Sequence, residues 1–232
     1  MPSEATERPS ASPRDRRLVV FPTIGILAAL APGPPSVASD ASHTIRYSTG
    51  ADFRVLTISL SLPVPPDYSL PAVRIYGDGR VWRHRPSYMK RGGDYEAWLA
   101  PEDLDRLLRF VADQRLMAFD PEKVEAKQHE AERRRLAETG GVPGVADAPT
   151  TTVHIDLEAY ASPGVDKSAK GFAKTISWYA LDSVVSWYPE ITELRRLQEV
   201  AEVLWELGNR AEEAAARGET VISLPDLPGA DS

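Results

Sequence analysis

Hydrophobic and polar residues alternate along two long stretches of the chain, residues 53–62 and 151–160. Strict alternation is typical of strands that bury one side of an antiparallel sheet and leave the other side polar. The apolar positions are Leu56, Ile58, Leu60 and Leu62 in the first stretch and Val153, Ile155 and Leu157 in the second. Shorter strands are predicted at residues 94–99 and 172–179.

Residues 73–83 predict a β-hairpin, because Asp78-Gly79 lies between two β-prone runs and glycine adopts the positive φ angle that such turns require. With Asp78 and Gly79 as a two-residue turn, Ile75 is expected opposite Trp82. This register predicts an apolar face of Val73, Ile75 and Trp82 and a second face of Arg74, Tyr76 and Arg83.

Two amphipathic helices follow from apolar residues at helical spacing. The first begins at Pro101, with Ala100 where a Ser or Thr cap would add about 1 kcal/mol. The second is expected to run from Pro189 to Gly208. The predicted fold is therefore α+β: a single, mostly antiparallel sheet of five or six strands, packed by two amphipathic helices.

A third helix, over residues 121–138, carries charges on most sides and few apolar residues. Such a segment is expected to be a solvated helix, stabilised by pairs such as Glu130 with Arg134. Together with the Gly- and Pro-containing loop that follows it, we interpret residues 121–149 as a charged insertion in the domain.

The first 38 residues have the composition of a secretory signal peptide: basic residues before Leu18, an apolar run to Ala31, and small residues ending at Ala38. Cleavage is predicted after Ala38, with Ala41 as a second site. A disordered leader or an uncleaved anchor is the alternative. Residues 39–52 are then a linker, 53–208 the α+β domain, and 209–232 a helix extension and flexible tail.

The composition of the chain excludes several kinds of site and partner. The chain has no cysteine, which excludes disulfides, thiol nucleophiles, thiolate metal sites and lipoprotein attachment. It has 27 Lys and Arg against 34 Asp and Glu, a net charge of −7. An acidic exported protein is a poor binder of nucleic acid, so no nucleic-acid partner is predicted. After cleavage, no stable membrane span is expected.

Basic and aromatic residues concentrate around the predicted hairpin. This candidate surface comprises Arg74, Tyr76, Arg83, Arg85, Lys90 and Arg91. On an acidic protein it could attract an anionic protein or envelope component, such as a carboxylate-rich peptide, an envelope polymer or a lipid headgroup. The alternative is that nearby acids, Asp94, Glu96, Asp156 or Glu158, balance the charge.

Two further groups of residues are open to more than one interpretation. Trp178, Tyr179, Trp187, Tyr188 and Trp205 form either a core cluster or a shelf that binds carbohydrate or peptide. His154 and Asp156, with Asp147 or His84, carry metal-ligating groups. Alternate residues of a strand are about 7 Å apart and converge poorly on a metal, so the solvent face of a strand is favoured. We predict no metal, no cofactor and no catalytic residue.

Several segments resemble a set of uncharacterised bacterial exported proteins and lipoproteins. These segments are Tyr76-Gly77-Asp78-Gly79-Arg80-Val81, Leu99-Ala100-Pro101-Glu102-Asp103-Leu104, Ala146-Asp147-Ala148-Pro149-Thr150-Thr151 and Trp178-Tyr179-Ala180-Leu181. The resemblance covers about Ala72 to Leu207 and implies a small hairpin, helix, hairpin, helix domain, with no implied activity. The order of elements is also similar to that of emfourin-type inhibitors of metallopeptidases. Ala100 and the charged helix depart from the first pattern.

The sequence thus favours a non-catalytic exported binding or envelope protein, of which an inhibitor is one form. The alternative is an envelope hydrolase with an Asp, Glu and His site that no motif marks. A pocket that holds His84, His154 and Asp156 together would favour the enzyme.

Overall fold

The computed structural model describes residues 43–62, 70–165 and 168–228. These residues belong to a unit that extends from Asp40 to Ser232. The predicted signal peptide, residues 1–38, and both predicted cleavage sites lie outside the described residues.

The described residues form an α+β fold, as predicted, with a largely antiparallel sheet. The strands are β1 (Thr44–Arg46), β2 (Arg54–Ser61), β3 (Ala72–Tyr76), β4 (Arg80–Arg85), β5 (Gly93–Leu99), β6 (Thr150–Ala161), β7 (Ala169–Tyr179) and β8 (Val221–Ile222). The helices are α1 (Pro101–Asp113), α2 (Pro121–Thr139), α3 (Leu181–Trp187) and α4 (Thr192–Arg217), with a 3-10 turn at Leu116–Ala118. Over the described ranges, the sheet has eight strands rather than five or six.

The strand order is β7, β6, β2, β3, β4, β5 and β8, and β1 pairs with the far end of β6. All pairs are antiparallel except β5 with β8, which is parallel. The connections between β3, β4 and β5 are short, as in a meander, whereas β6 is inserted next to β2 after two helices. The charged helix α2 therefore lies in the segment that connects β5 to β6.

One hydrophobic core lies between the sheet and helices α1 and α4. The predicted alternation is confirmed in β6 and in the middle of β2. At the start of β2, a register shift between Arg54 and Leu56 accompanies the burial of Val55, which the alternation places on the polar side. The side chains of Leu56, Ile58, Val153, Ile155 and Leu157 are all 0% exposed. Thr57 and His154, between these positions, are half-buried and lie opposite each other on the other face of the sheet.

The predicted register of the hairpin is wrong by one residue. Ile75 pairs with Val81, and Arg74 pairs with Trp82, because the turn contains three residues rather than two. Gly79 donates its N–H to the carbonyl of Tyr76 (3.0 Å) with φ of +86°. Trp82 therefore shares a face with Arg74, and the buried apolar residue of β4 is Val81.

Helix α4 does not stop at Gly208. It begins at Thr192 rather than Pro189, and it continues to Arg217, where Gly218 forms the cap with φ of +72°. Gly208 instead allows the helix to approach the sheet, because a Cβ there would lie 2.5 Å from Cγ2 of Val73. The glycine marks a close packing contact.

Two segments predicted as linker and tail contain strands. β1 lies in the predicted linker, residues 39–52, and pairs with β6. β8 lies in the predicted tail, where Ile222 and Leu224 are 7% and 9% exposed and belong to the core. Both strands have at most three residues, too few for an alternating pattern to reveal them.

Helix α1 has the predicted boundary at Pro101, and Ala100 at its cap position makes no side-chain hydrogen bond. Helix α2 is the predicted charged helix and buries only Val124 and Ala131. Within the described ranges, no helix combines the length and the apolar character that a membrane crossing requires.

Candidate functional site

The predicted basic surface is divided between two faces of the sheet and a loop. Arg83 follows Val73 onto the face covered by α4, where its side chain is 12% exposed. Arg85 lies on the same face, two residues further along β4. Both pair with Glu212 of α4, whose side chain is 9% exposed, and Arg85 Nη1 lies 2.8 Å from each of its carboxylate oxygens.

Burial lowers the pKa of Arg83, while the charge of Glu212 acts in the opposite direction. Arg83 also donates Nη1 to Oδ1 of Asn209 at 2.7 Å. Every partner of this arginine comes from α4 or the adjacent strands, so Arg83 and Arg85 hold the helix against the sheet. They are not free to attract an anionic partner.

Arg74 and Tyr76 lie on the opposite face of the sheet. The guanidinium carbon of Arg74 is 4.4 Å from the centre of the Trp82 ring, and that of Arg80 is 4.0 Å from the Tyr76 ring. Arg80 also pairs with Glu96 at 2.9 Å, one of the acids named as an alternative partner. These stacks and pairs neutralise or immobilise the basic residues of this face.

Lys90 and Arg91 are exposed in the loop between β4 and β5. Arg91 has φ of +57°. They are the two members of the predicted surface that remain exposed, and they lie at one end of β4 and β5, away from the Tyr76 end of the hairpin.

The structure does not assemble the residues proposed as metal ligands. β2 and β3 lie between the strands of His84 and His154, a separation of about 14 Å at the usual strand spacing. His84 pairs with Asp94 at 2.7 Å, and His154 bonds to Thr175 at 2.8 Å. Among residues 43–62, 70–165 and 168–228, no group of three His, Asp or Glu side chains could hold a metal ion.

The five C-terminal aromatic residues divide between the two interpretations. Trp178 and Tyr188 are 6% and 3% exposed and belong to the core. Tyr179 is 47% exposed and Trp187 is half-buried, and both rings line a cleft of about 440 Å³. Trp205 is also half-buried and lines a different groove.

We call the first of these spaces the aromatic cleft. It lies between helix α2, the loop before β6, the end of β7 and helix α3. Its lining includes Glu125, Gln128, His129 and Glu132 of α2, Pro143–Val145 of the loop, Ser177 and Tyr179 of β7, and Val184 and Trp187 of α3. The charged helix, interpreted from sequence as an insertion, thus forms one complete wall.

The polar wall follows from helical spacing. Glu125, Gln128, His129 and Glu132 are three, four and seven residues apart, which places them on one side of α2. Gln128 Nε2 donates to Oε1 of Glu132 at 2.8 Å, and Nδ1 of His129 lies 3.2 Å from Oε2. Two neighbours therefore fix the Glu132 carboxylate within the cleft.

The opposite wall is fixed by Tyr179 and Trp187. The Tyr179 hydroxyl donates to the carbonyl of Val145 (2.9 Å) and accepts from the N–H of Ala148 (3.2 Å), which ties the loop to β7. Arg135 of α2 donates to the carbonyl of Trp187 at 3.2 Å. These hydrogen bonds connect the loop to β7 and helix α2 to helix α3 around the cleft.

Charged groups attach helix α2 to the rest of the fold, in addition to the buried Val124 and Ala131. Lys127 pairs with Glu193, and Arg134 pairs with Glu190 at 3.3 Å. The predicted pair of Glu130 with Arg134 is wrong, because Glu130 pairs with Arg133 instead. Glu190, in the segment before α4, supplies the carboxylate that pairs with Arg134. A prediction made from the sequence of α2 alone could not include this residue.

A second groove, of about 560 Å³, lies beside α4 and is lined by Asp182, Glu202, Trp205 and Glu206 among others. Burial, with the charge of Asp182, raises the pKa of Glu202. Arg210 neutralises Glu206 at 3.2 Å, and Gln198 donates to Asp182 at 3.3 Å. Three of its four named lining groups are acidic, and two already have partners, so it is a weaker candidate than the aromatic cleft.

Sequence reasoning identified Tyr179 and Trp187 but missed the α2 residues that face them. The signal was the spacing of Glu125, His129 and Glu132 on one side of a helix that otherwise has charges all round. It likewise missed Glu212, a charged residue eight positions after Leu204 on the buried stripe of α4. Comparison with known proteins adds no assignment: no protein-family model matches the chain, and no curated protein matches it.

Proposed function

We propose that the protein is an exported, non-catalytic binding protein and that the aromatic cleft is its ligand site. Ligand sites in proteins are concave, lined by aromatic and apolar side chains, and contain a few oriented polar groups. The observation that carries the proposal is the position of the Tyr179 and Trp187 rings across a cleft of about 440 Å³ from the fixed Glu132 carboxylate.

Binding has more support than catalysis at this site. His129 and Glu132 form a pair that could transfer protons, but the His129 side chain is 68% exposed. The hydroxyl of Ser177, a serine in the lining of the same cleft, bonds to Thr152 at 2.9 Å. A hydrolase would need a nucleophile or an activated water next to the base, and this serine is held by another partner.

An anionic envelope component remains a secondary partner in this proposal, with Lys90 and Arg91 as its contact. Arg83 and Arg85 no longer support it, because both are partly buried beneath α4 and pair with Glu212. An inhibitor of a peptidase is the form of the proposal in which the ligand is a segment of another protein. Export itself follows from the composition of residues 1–38.

The test is a ligand-observed NMR screen of the protein from Ser39 onward against neutral sugars, amines, carboxylates and short peptides. Val145 is 37% exposed and lines the cleft, so Val145→Trp fills the site without disturbing the core. Trp187→Ala removes one aromatic wall. Trp98→Ala is the matched control, because Trp98 is an exposed tryptophan of β5 outside the cleft.

We expect at least one class of compound to bind, with binding lost in Val145→Trp, weakened in Trp187→Ala and unchanged in Trp98→Ala. Far-UV circular dichroism and thermal unfolding establish that each variant folds. If no class binds, or if binding is the same in Val145→Trp, the cleft is not a ligand site. Conversion of a bound compound to a product would favour the hydrolase.

A further inference from the structure

Among the described residues that line the aromatic cleft, two are carboxylates, and the one basic side chain is the imidazole of His129, which lies 3.2 Å from Glu132. Glu125 and Glu132 line it from α2, and none of the described residues that line it is Lys or Arg. Glu125 is exposed and makes no ion pair within the described part of the chain. A ligand in the cleft therefore meets two carboxylates and no fixed cation other than a protonated His129.

The three arginines that follow Glu132 on the same helix all have other partners. Arg135 donates to the carbonyl of Trp187 and lines a neighbouring space of about 280 Å³, which shares Trp187 with the cleft. Arg133 pairs with Glu130, and Arg134 pairs with Glu190. These arginines are therefore absent from the described lining of the cleft, whereas Glu125 and Glu132 belong to it.

The negative charge of Glu132 also acts on the hydroxyl of Tyr188. Tyr188 is 3% exposed, and its pKa is raised by burial and by the charge of Glu132. Arg135 opposes this effect without cancelling it. The charge of Glu190 acts on Tyr188 in the same direction as that of Glu132.

The wall of the cleft opposite α2 contains the aromatic side chains of Tyr179 and Trp187. Aromatic rings attract cations electrostatically, and desolvated sites strengthen this attraction. A ring wall opposite a carboxylate wall is the arrangement that suits an ammonium group on an apolar body. A metal ion fits less well, because no group of three ligating side chains is present among the residues that the structure describes.

We propose that the aromatic cleft selects small organic cations, with the ammonium group held between the Glu125 and Glu132 carboxylates and the Tyr179 and Trp187 rings. This inference rests on the proposed function, since it names the ligand class of the same site. The net charge of −7 on the whole chain would also attract such ligands from solution.

The test uses three compounds with the same aromatic body and different charge: 2-phenylethylammonium, 2-phenylethanol and 3-phenylpropanoate. Their dissociation constants are measured by calorimetry with the protein from Ser39 onward. We expect the cation to bind about tenfold more tightly than the alcohol, and the anion to bind most weakly. The preference should shrink as salt is raised, because both carboxylates contact solvent.

Glu125→Gln and Glu132→Gln each keep the shape of the side chain and remove one charge. Each should reduce the preference for the cation over the alcohol by about threefold. Glu130→Gln is the matched control, because Glu130 is on the same helix and outside the cleft, and it should leave the preference unchanged.

Equal binding of the three compounds, tighter binding of the alcohol or the anion, or a preference that both cleft variants leave intact would overturn the inference. So would the failure of all three to bind. The broader screen separates these results from failure of the proposed function, because a neutral sugar or peptide displaced by Val145→Trp would retain the cleft as a binding site for another class.

Discussion

Among the described residues, Glu212 is the acid that pairs with both Arg83 and Arg85 beneath helix α4. Its side chain is 9% exposed, and those of the two arginines are 12% and 25% exposed. The Glu212→Ala variant would leave two guanidinium groups close together without their carboxylate. We therefore expect a marked loss of stability from a change of one residue on a segment that the sequence suggested was peripheral.

The magnitude follows from the burial of the three side chains. Removing one partner of a buried ion pair costs about 3–5 kcal/mol. Two features reduce the figure: Arg83 retains its bond to Asn209 at 2.7 Å, and Arg85 is a quarter exposed and can be hydrated. We expect a decrease of about 2–3 kcal/mol in the free energy of unfolding, or roughly 4–12 °C in melting temperature.

The assay is equilibrium unfolding in urea, monitored by tryptophan fluorescence. Urea is preferred to guanidinium chloride because the latter is a salt and screens ion pairs. Glu213→Ala is the matched control: Glu213 is the next residue of the same helix, its side chain is 65% exposed, and it lies 3.8 Å from Arg217. Its removal should cost less than about 0.5 kcal/mol.

Glu212→Gln separates charge from shape, because the amide keeps one acceptor and loses the negative charge. It should give a value between wild type and Glu212→Ala. If Glu212→Ala were no less stable than Glu213→Ala, the two arginines would not depend on this carboxylate, and the argument that they hold α4 against the sheet would be wrong.

Three further predictions concern other parts of the chain. Gly208→Ala should lower the free energy of unfolding by about 1–3 kcal/mol, since the new Cβ would lie 2.5 Å from Cγ2 of Val73, and an unchanged urea midpoint would contradict the close contact. Burial, with a hydrogen bond to Asp105, raises the pKa of Tyr47 from 10.0 to about 12. The folded state then holds this proton more tightly than the unfolded state, so the contribution of Tyr47 is complete below pH 10 and is lost as pH rises toward about 12. Tyr47→Phe should show a smaller alkaline loss of stability, and an equal loss would refute the assignment. N-terminal sequencing of the exported protein should begin at Ser39, and an intact Met1 would refute cleavage.

Long alternating or amphipathic stretches were predictable because their signal repeats. β6 and α1 each contain at least four buried residues on one face, and β2 contains three apolar residues on its predicted face, so the local pattern was sufficient to identify these elements. β1 and β8 have three and two residues, and their positions are set by the strands that they join. No local rule could have revealed them.

The errors in register and helix length have a common cause in contacts distant in sequence. Asp78-Gly79 suits both a two-residue and a three-residue turn, and the carbonyl of Gly79 accepts a hydrogen bond from Leu99 on β5 at 2.9 Å in the observed one. From sequence alone, Gly208 is predicted to end the helix. In the structure it lies inside α4, where a side chain would collide with Val73 of β3. Glycine has both uses, and only the tertiary contact distinguishes them.

Only the aromatic wall of the candidate site could be predicted from the sequence. Exposed aromatic residues near the last strand suggested a shelf, and Tyr179 and Trp187 do line a cleft. Its polar wall comes from α2, about 50 residues earlier in the chain, and a solvated helix gives no sign of what it faces. The pairing of Arg85 with Glu212 could not be predicted for the same reason, since the two residues are 127 positions apart.

The most direct test of the central claim uses the five tryptophans of the chain, because each indole N–H gives its own signal in a ¹H–¹⁵N correlation spectrum. The protein from Ser39 onward is titrated with the compounds that bind in the screen. A ligand in the aromatic cleft should shift the Trp187 signal and leave those of Trp98 and Trp205 in place. Shifts confined to Trp98 or Trp205, or a Trp187 signal that does not move at saturation, would contradict the assignment of the cleft as the ligand site.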